Sequence, residues 1–195
     1  MHKVIVNSTP IISLSIIDHL SLLLKLYDQV YIPQAVYDEV CKEGKSQVGS
    51  KTLQNADFIQ VVSIDNKEAR DFFSTSLHKG EIEVMILAKE LEADFIIIDD
   101  YQARKHAKFL DLNITGTLGV LLKSKEDNYI ENIKPLMDEL IKNDIYIGDD
   151  LYQKILNMAG EWKPVVIKFI SLQVFSYMFF KKSIFNKGLG IPFPF

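Results

Sequence analysis

Short apolar runs alternate along the chain with longer segments in which apolar residues recur every three or four positions. The first pattern predicts buried strands, the second helices with one buried face. Val4-Ile5-Val6, Val30-Tyr31-Ile32, Phe58 to Ile64, Phe95-Ile96-Ile97-Ile98 and a brief segment at Ile114 read as five strands. Ser8 or Thr9, followed by Pro10, offers an N-cap and a first-turn residue for a helix starting near Ile11. Asp18 can cap a second helix through Leu20 to Leu26, and Pro33 stops the second strand. From Gln34 the spacing of Ala35, Val36 and Val40 predicts a helix with Tyr37, Asp38 and Glu39 on its other faces. Residues 43–50 read as an exposed loop and 65–74 as a helix. Ile82, Met85, Ile86, Ala88 and Leu91 predict a helix over Glu81 to Leu91. Asp99-Asp100 end the fourth strand and start a basic helix through Arg104, Lys105 and Lys108. Gly116-Thr117-Leu118-Gly119 opens another helix, and helices near 130–142 and 149–160 complete the body.

Continuously apolar strands separated by helices predict a mainly parallel, five-stranded sheet covered on both faces, an α/β domain. The chain has 195 residues, of which 48% are apolar and 25% charged, which fits one well-buried domain and excludes intrinsic disorder as the main state. Residues 1–162 form that domain. Residues 163–195 differ: they carry five lysines and no acid, and Val165 to Phe180 is apolar but interrupted by Lys168, Ser171, Gln173, Ser176 and Tyr177. That run falls short of the roughly 20 residues a membrane helix needs. No stable membrane insertion is expected, and a docked or interface helix, a membrane-associated segment and a plain extension all remain open.

The net charge of −4 becomes more negative once the basic tail is set aside, so the body is unsuited to coating nucleic acid through many phosphate contacts. The lone Cys41 has no disulfide partner and Met1 to Lys3 lead directly into an apolar run, which predicts a reducing, cytoplasmic setting. His2, His19, His78 and His106 form no zinc-ligand spacing.

Chemistry in an open parallel sheet gathers outside the carboxyl ends of the strands. Asn7 follows the first strand, Glu39 lies on the helix after the second, Glu81 opens the helix before the fourth, and Asp99-Asp100 follow the fourth. All can face one end of the sheet. Crowded carboxylates repel, and a divalent cation relieves that repulsion; oxygen-only ligands favour Mg²⁺ or Mn²⁺ over zinc. Each acid also has a plain structural use, Glu81 and Asp99 or Asp100 as helix-start residues and Glu39 as a solvated side chain. Arg104 can pair with Asp100 or meet a phosphate. The Gly116 to Gly119 turn lacks a phosphate-loop signature, although Thr117 can cap its helix or donate to a phosphate.

Val4 to Ile12, Tyr31 to Glu39, Gly80 to Glu83, Ile97 to Asp100 through Arg104, and Thr115 to Leu121 follow one another in an order and spacing that resembles the PIN-like domain proteins of bacteria and archaea, relatives of VapC-type toxin ribonucleases. The likeness covers about residues 3–161. It implies a three-layer α/β/α fold with a five-stranded parallel sheet and a metal-dependent ribonuclease ancestry. By the same likeness Glu39, Glu81 and Asp99 or Asp100 correspond to acidic metal-site residues, with Ser8 and Thr117 as polar companions. The working set is then Glu39, Glu81, Asp99 and Asp100 as catalytic and metal-holding acids with Asn7 beside them, and Ser8, Thr117 and, as a screen for phosphate charge, Arg104 toward the nucleic acid. Asn7 departs from the pattern, because active members carry an aspartate after the first strand.

The resulting expectation is an endoribonuclease using Mg²⁺ or Mn²⁺, with RNA as substrate, an antitoxin protein as partner and a second copy as a further partner. The alternative is a catalytically weakened PIN-like module that binds nucleic acid or protein. A receiver-like phosphoacceptor domain shares the doubly wound layout but places its acidic pair after the first strand, where this chain has Asn7.

Overall fold

In a computed structural model of the protein, residues 2–43, 47–69 and 77–162 are described. Five strands, β1 (Lys3–Val6), β2 (Gln29–Pro33), β3 (Ile59–Val62), β4 (Phe95–Ile97) and β5 (Ile114–Thr115), form one sheet in the order β3-β2-β1-β4-β5. Every pairing is parallel, with Val4 opposite both Val30 and Phe95, Ile32 opposite Val61, and Ile97 opposite Thr115. The expected parallel α/β sheet is therefore present. Val4, Ile5 and Val6 are buried because β1 is central and has helices on both faces, which is why that strand is apolar without alternation. At the β3 edge Gln60 and Val61 are exposed.

The helices are α1 (Ser8–Ile16), α2 (Leu22–Leu26), α3 (Gln34–Asp38) continued by a π-helical turn over Glu39–Glu43, α4 (Gln47–Gln54), α5 (Lys79–Glu90), α6 (Tyr101–Phe109), α7 (Thr117–Glu126), α8 (Lys134–Lys142) and α9 (Asp149–Met158). Leu14, Leu23, Leu87, Leu121, Met137 and Leu156 bring these helices onto the sheet in one continuous core. None of the helices among the described residues is long and apolar enough to cross a membrane.

Several local expectations are corrected. The segment 43–50 is not a loop throughout, since α4 starts at Gln47 and lies against α1. Gly49 permits this: a Cβ there would stand 3.2 Å from Ile12 Cγ1, so the missing side chain lets the two helices approach. Helix α1 starts at Ser8, with Asn7 rather than Ser8 or Thr9 in the N-cap position. Asp18 caps nothing; it takes a left-handed φ of 54° just past α1, and Ser21 precedes α2. Residues 70–74 of the helix expected over 65–74 lie outside the described residues, as does the whole 163–195 segment.

Five helices stop in the same way. The left-handed residues Asp18, Glu92, Asp111, Asn128 and Asp144 each follow a helix. The next amide then reaches back to a carbonyl in the last turn, as in His19 N–H to Leu14 O (2.8 Å) and Ile145 N–H to Leu140 O (3.0 Å). Gly160 does the same after α9 at no steric cost, with Glu161 N–H bonded to Leu156 O at 2.8 Å.

Candidate metal and nucleic-acid site

The sheet order reverses direction between β1 and β4, so the crevice beyond their carboxyl ends is where this architecture accepts a ligand. Beyond the paired strands, Asn7 N–H donates to Ile97 O (3.0 Å) and Ile98 N–H to Thr115 O (3.0 Å), which holds the ends of β1, β4 and β5 side by side. Asn7 is only 2% exposed, and its Oδ1 is buried with no hydrogen-bond partner. Leaving a buried acceptor unpaired costs about 1–3 kcal/mol, so such an atom calls for an explanation. Next to it, Ser8 is buried at the first position of α1.

Glu39 opens the π-helical turn, a distortion that recurs at functional sites because it re-aims side chains. Its Oε2 lies 2.9 Å from the point where a Cβ on Gly80 would stand, and Asn7 Oδ1 lies 3.7 Å from the same point. Gly80 thus leaves a small notch into which one carboxylate and one amide oxygen converge. Glu81, next in α5, is buried and accepts the His78 N–H through Oε2 at 2.9 Å. Burial pushes its carboxyl above the usual range, the His78 amide works against that, and the nearby charges of Asp100 and Glu39 push it further up. Glu81 is therefore close enough to both Glu39 and Asp100 to feel their charge.

Asp99 and Asp100 split into different tasks. Asp100 is the N-cap of α6 and accepts Ala103 N–H through Oδ1 at 2.8 Å. Asp99 faces α7, where Thr117 donates its backbone N–H to Oδ1 (2.8 Å) and its hydroxyl to Oδ2 (2.6 Å). Arg104 closes over Gly116: its Nη1 donates to Ile98 O at 2.8 Å and lies 2.9 Å from the position a Gly116 Cβ would take. The structure thus gathers Asn7 and Glu39 at Gly80, with Glu81 within reach of the charges of Glu39 and Asp100, and gathers Asp99, Arg104 and Thr117 around Gly116.

Two residues outside the candidate set support the rim. Gly80 makes the notch, and Glu83, buried in α5, accepts Ala35 N–H at 3.1 Å and so ties the start of α3, which leads into Glu39, to the helix carrying Glu81. The run Gly80-Glu81-Ile82-Glu83 contains both residues, but nothing in its spacing separates a buried anchor from a solvated acid.

No group of three His, Cys, Asp or Glu side chains among the described residues is drawn together tightly enough to chelate a metal. Mg²⁺ does not need one, because it keeps several waters and takes one or two carboxylates together with substrate oxygens. The unpartnered Asn7 Oδ1 beside Glu39, with Glu81 and Asp100 at hand, suits such a cation in both ligand chemistry and charge.

Among curated proteins, none matches the sequence. A family model does: it is that of the PIN domain, and it spans residues 3–161, from β1 to just past α9, so that all the site residues fall within it. The chain therefore belongs to the PIN-domain family, in general a family of nucleases.

Proposed function

We propose that the protein is an endoribonuclease that hydrolyses RNA phosphodiesters with Mg²⁺ or Mn²⁺, and that it acts in the manner of a VapC-type toxin held in check by an antitoxin in a reducing cytoplasm. The observation that carries this reading is the buried, unpartnered Asn7 Oδ1 facing the same notch as Glu39 at the sheet's switch point. Glu39, Glu81 and Asp100, with the neutral oxygen of Asn7, hold the cation, and Asp99 holds the α7 side of the rim through Thr117. The chemistry a divalent cation supplies when bound is polarisation of the phosphodiester and a lowered pKa of the attacking water. Arg104 has five N–H donors, and those not used on Ile98 O can meet phosphate, offsetting the repulsion an acidic rim exerts on RNA. Ser8, buried beside Asn7, and Thr117, its hydroxyl on Asp99, serve as polar companions of the acids.

The second reading, a weakened binding module, draws support from Asn7 itself: an amide brings an oxygen without a charge. Titration with Mn²⁺ separates the two. The nuclease reading expects single-stranded RNA to be cut, and Glu81→Gln and Asp100→Asn each to abolish cutting while the protein stays folded. Intact RNA at saturating Mn²⁺ with folded protein overturns it.

A further inference from the structure

A cavity of about 300 Å³ opens beside Asp99 and Thr117, and α1, α8, α9 and the segment joining the last two complete it. We infer that this cavity is a nucleobase subsite, in which an unpaired base bearing an exocyclic amine stacks on Tyr146 next to the cleavage centre. The inference rests on the nuclease reading for its substrate class and goes beyond it in assigning a base-reading surface.

The walls disfavour an anionic ligand. Leu118, Leu140 and Leu151 make them apolar, while Asp99 and Asp144 are the charged residues that line the cavity and no lysine or arginine does. An anion is therefore repelled, whereas a flat neutral ring with N–H donors at its edge finds apolar faces and carboxylate acceptors together. Ser13, which also lines the cavity, is 1% exposed, and its hydroxyl is buried without a partner. An unsatisfied hydroxyl in the wall of a cavity is a ready contact for a polar ring edge.

Tyr146 is the stacking platform. It is 92% exposed, an unfavourable state for so large a ring, and it is held there rather than adrift. Asp144 at φ 63° and the Ile145 N–H to Leu140 O bond (3.0 Å) fix the chain on one side. Gly148 starts α9 on the other. Between them Ile145 and Ile147 pack against the core, and the alternation turns Tyr146 outward. Single-stranded RNA is recognised in this way, by bases stacked on aromatic rings and read at their edges.

The test uses the full chain without added metal, so that RNA stays intact, and a short single-stranded oligoribonucleotide scanned with single abasic positions. Tyr146→Ala, on an exposed side chain, should weaken binding about 5- to 150-fold, the range of one base–aromatic stack, and Tyr146→Phe should restore it. One abasic position should cost the wild type a similar factor and cost the alanine variant nothing more. Equal binding by wild type and Tyr146→Ala, or independent penalties from the two changes, overturns the subsite and assigns the face to another occupant, such as a protein. Binding with the expected signature but no cutting in Mn²⁺ defeats the nuclease reading and leaves the subsite standing. Cutting with an unchanged KM for Tyr146→Ala does the reverse, and failure of the wild type to bind RNA at all defeats the subsite, the nuclease reading then being decided by cutting in Mn²⁺.

Discussion

Asp99 grips Thr117 twice, through its backbone N–H at 2.8 Å and its hydroxyl at 2.6 Å, so the end of β4 is bolted to the first turn of α7. Hydrogen bonds to a charged group contribute about 1.5–3 kcal/mol each. Thr117→Val removes the hydroxyl while keeping the shape, and should cost about that much in urea denaturation; Thr117→Ser keeps the donor and should cost less than half as much. A valine variant as stable as the wild type would show that the second bond contributes nothing.

Gly80→Ala separates folding from the site. A helical alanine is favoured over glycine by about 1 kcal/mol, and the nearest obstacle to its Cβ is the end of a flexible side chain, Glu39 Oε2 at 2.9 Å. Stability should stay within about 1 kcal/mol of the wild type. The Glu39 carboxylate, pushed out of the notch, should weaken Mn²⁺ binding by about tenfold or more in calorimetry, a loss of roughly 1.4 kcal/mol. Unchanged Mn²⁺ affinity would remove Glu39 from the cation site.

Glu81 gives the metal-free protein a pH signature. Its carboxyl titrates above the ordinary glutamate range in the fold, chiefly through burial. Below that range folded and unfolded chains are both protonated and its stability contribution is fully present; it is lost as pH rises through the raised folded value. Glu81→Gln keeps a carbonyl for the His78 N–H and carries no charge. The variant should melt above the wild type at pH 7, and the two curves should converge below about pH 4. A glutamine variant that melts lower at pH 7 refutes the assignment.

Glu161 behaves in the opposite sense. Burial alone would lift its carboxyl, but the Lys125 ammonium (2.6 Å) and the amides of Ile133 (2.6 Å) and Lys134 (2.8 Å) outweigh burial and hold it below the usual range. Its contribution is present above the ordinary glutamate pKa and is lost as pH falls through the depressed folded value. Glu161→Ala should cost about 0.5–2 kcal/mol at pH 7, as a lost N-terminal helix cap does, and nothing at low pH. Amide exchange at Ile133 and Lys134 reports the same loss locally; protection unaltered by the substitution would show that Glu161 does not hold the start of α8.

The strands were legible because a central parallel strand is apolar on both faces: Val4-Ile5-Val6 and Phe95-Ile96-Ile97 need no partner to be recognised. The helix ends were not. Five of them turn on Asp, Asn or Glu in a left-handed conformation instead of on glycine, and a stop made by a residue that is equally at home inside a loop carries no local mark. Helix α4 was hidden for a related reason, since Gly49 reads as a loop residue until Ile12 is seen pressed against it.

The site divides along the same line. Periodicity and strand order, local properties of the chain, already bring Asn7, Glu39, Glu81 and the Asp99-Asp100 pair to one end of the sheet. Which acid faces the notch, which one grips Thr117 and which one, Glu83, is a buried anchor depends on atoms up to 48 positions away, such as Ala35 N–H against Glu83. Residue spacing encodes the direction in which a side chain leaves its own helix or strand; only the packed structure brings the second partner, and with it the burial and charge that decide what the side chain does.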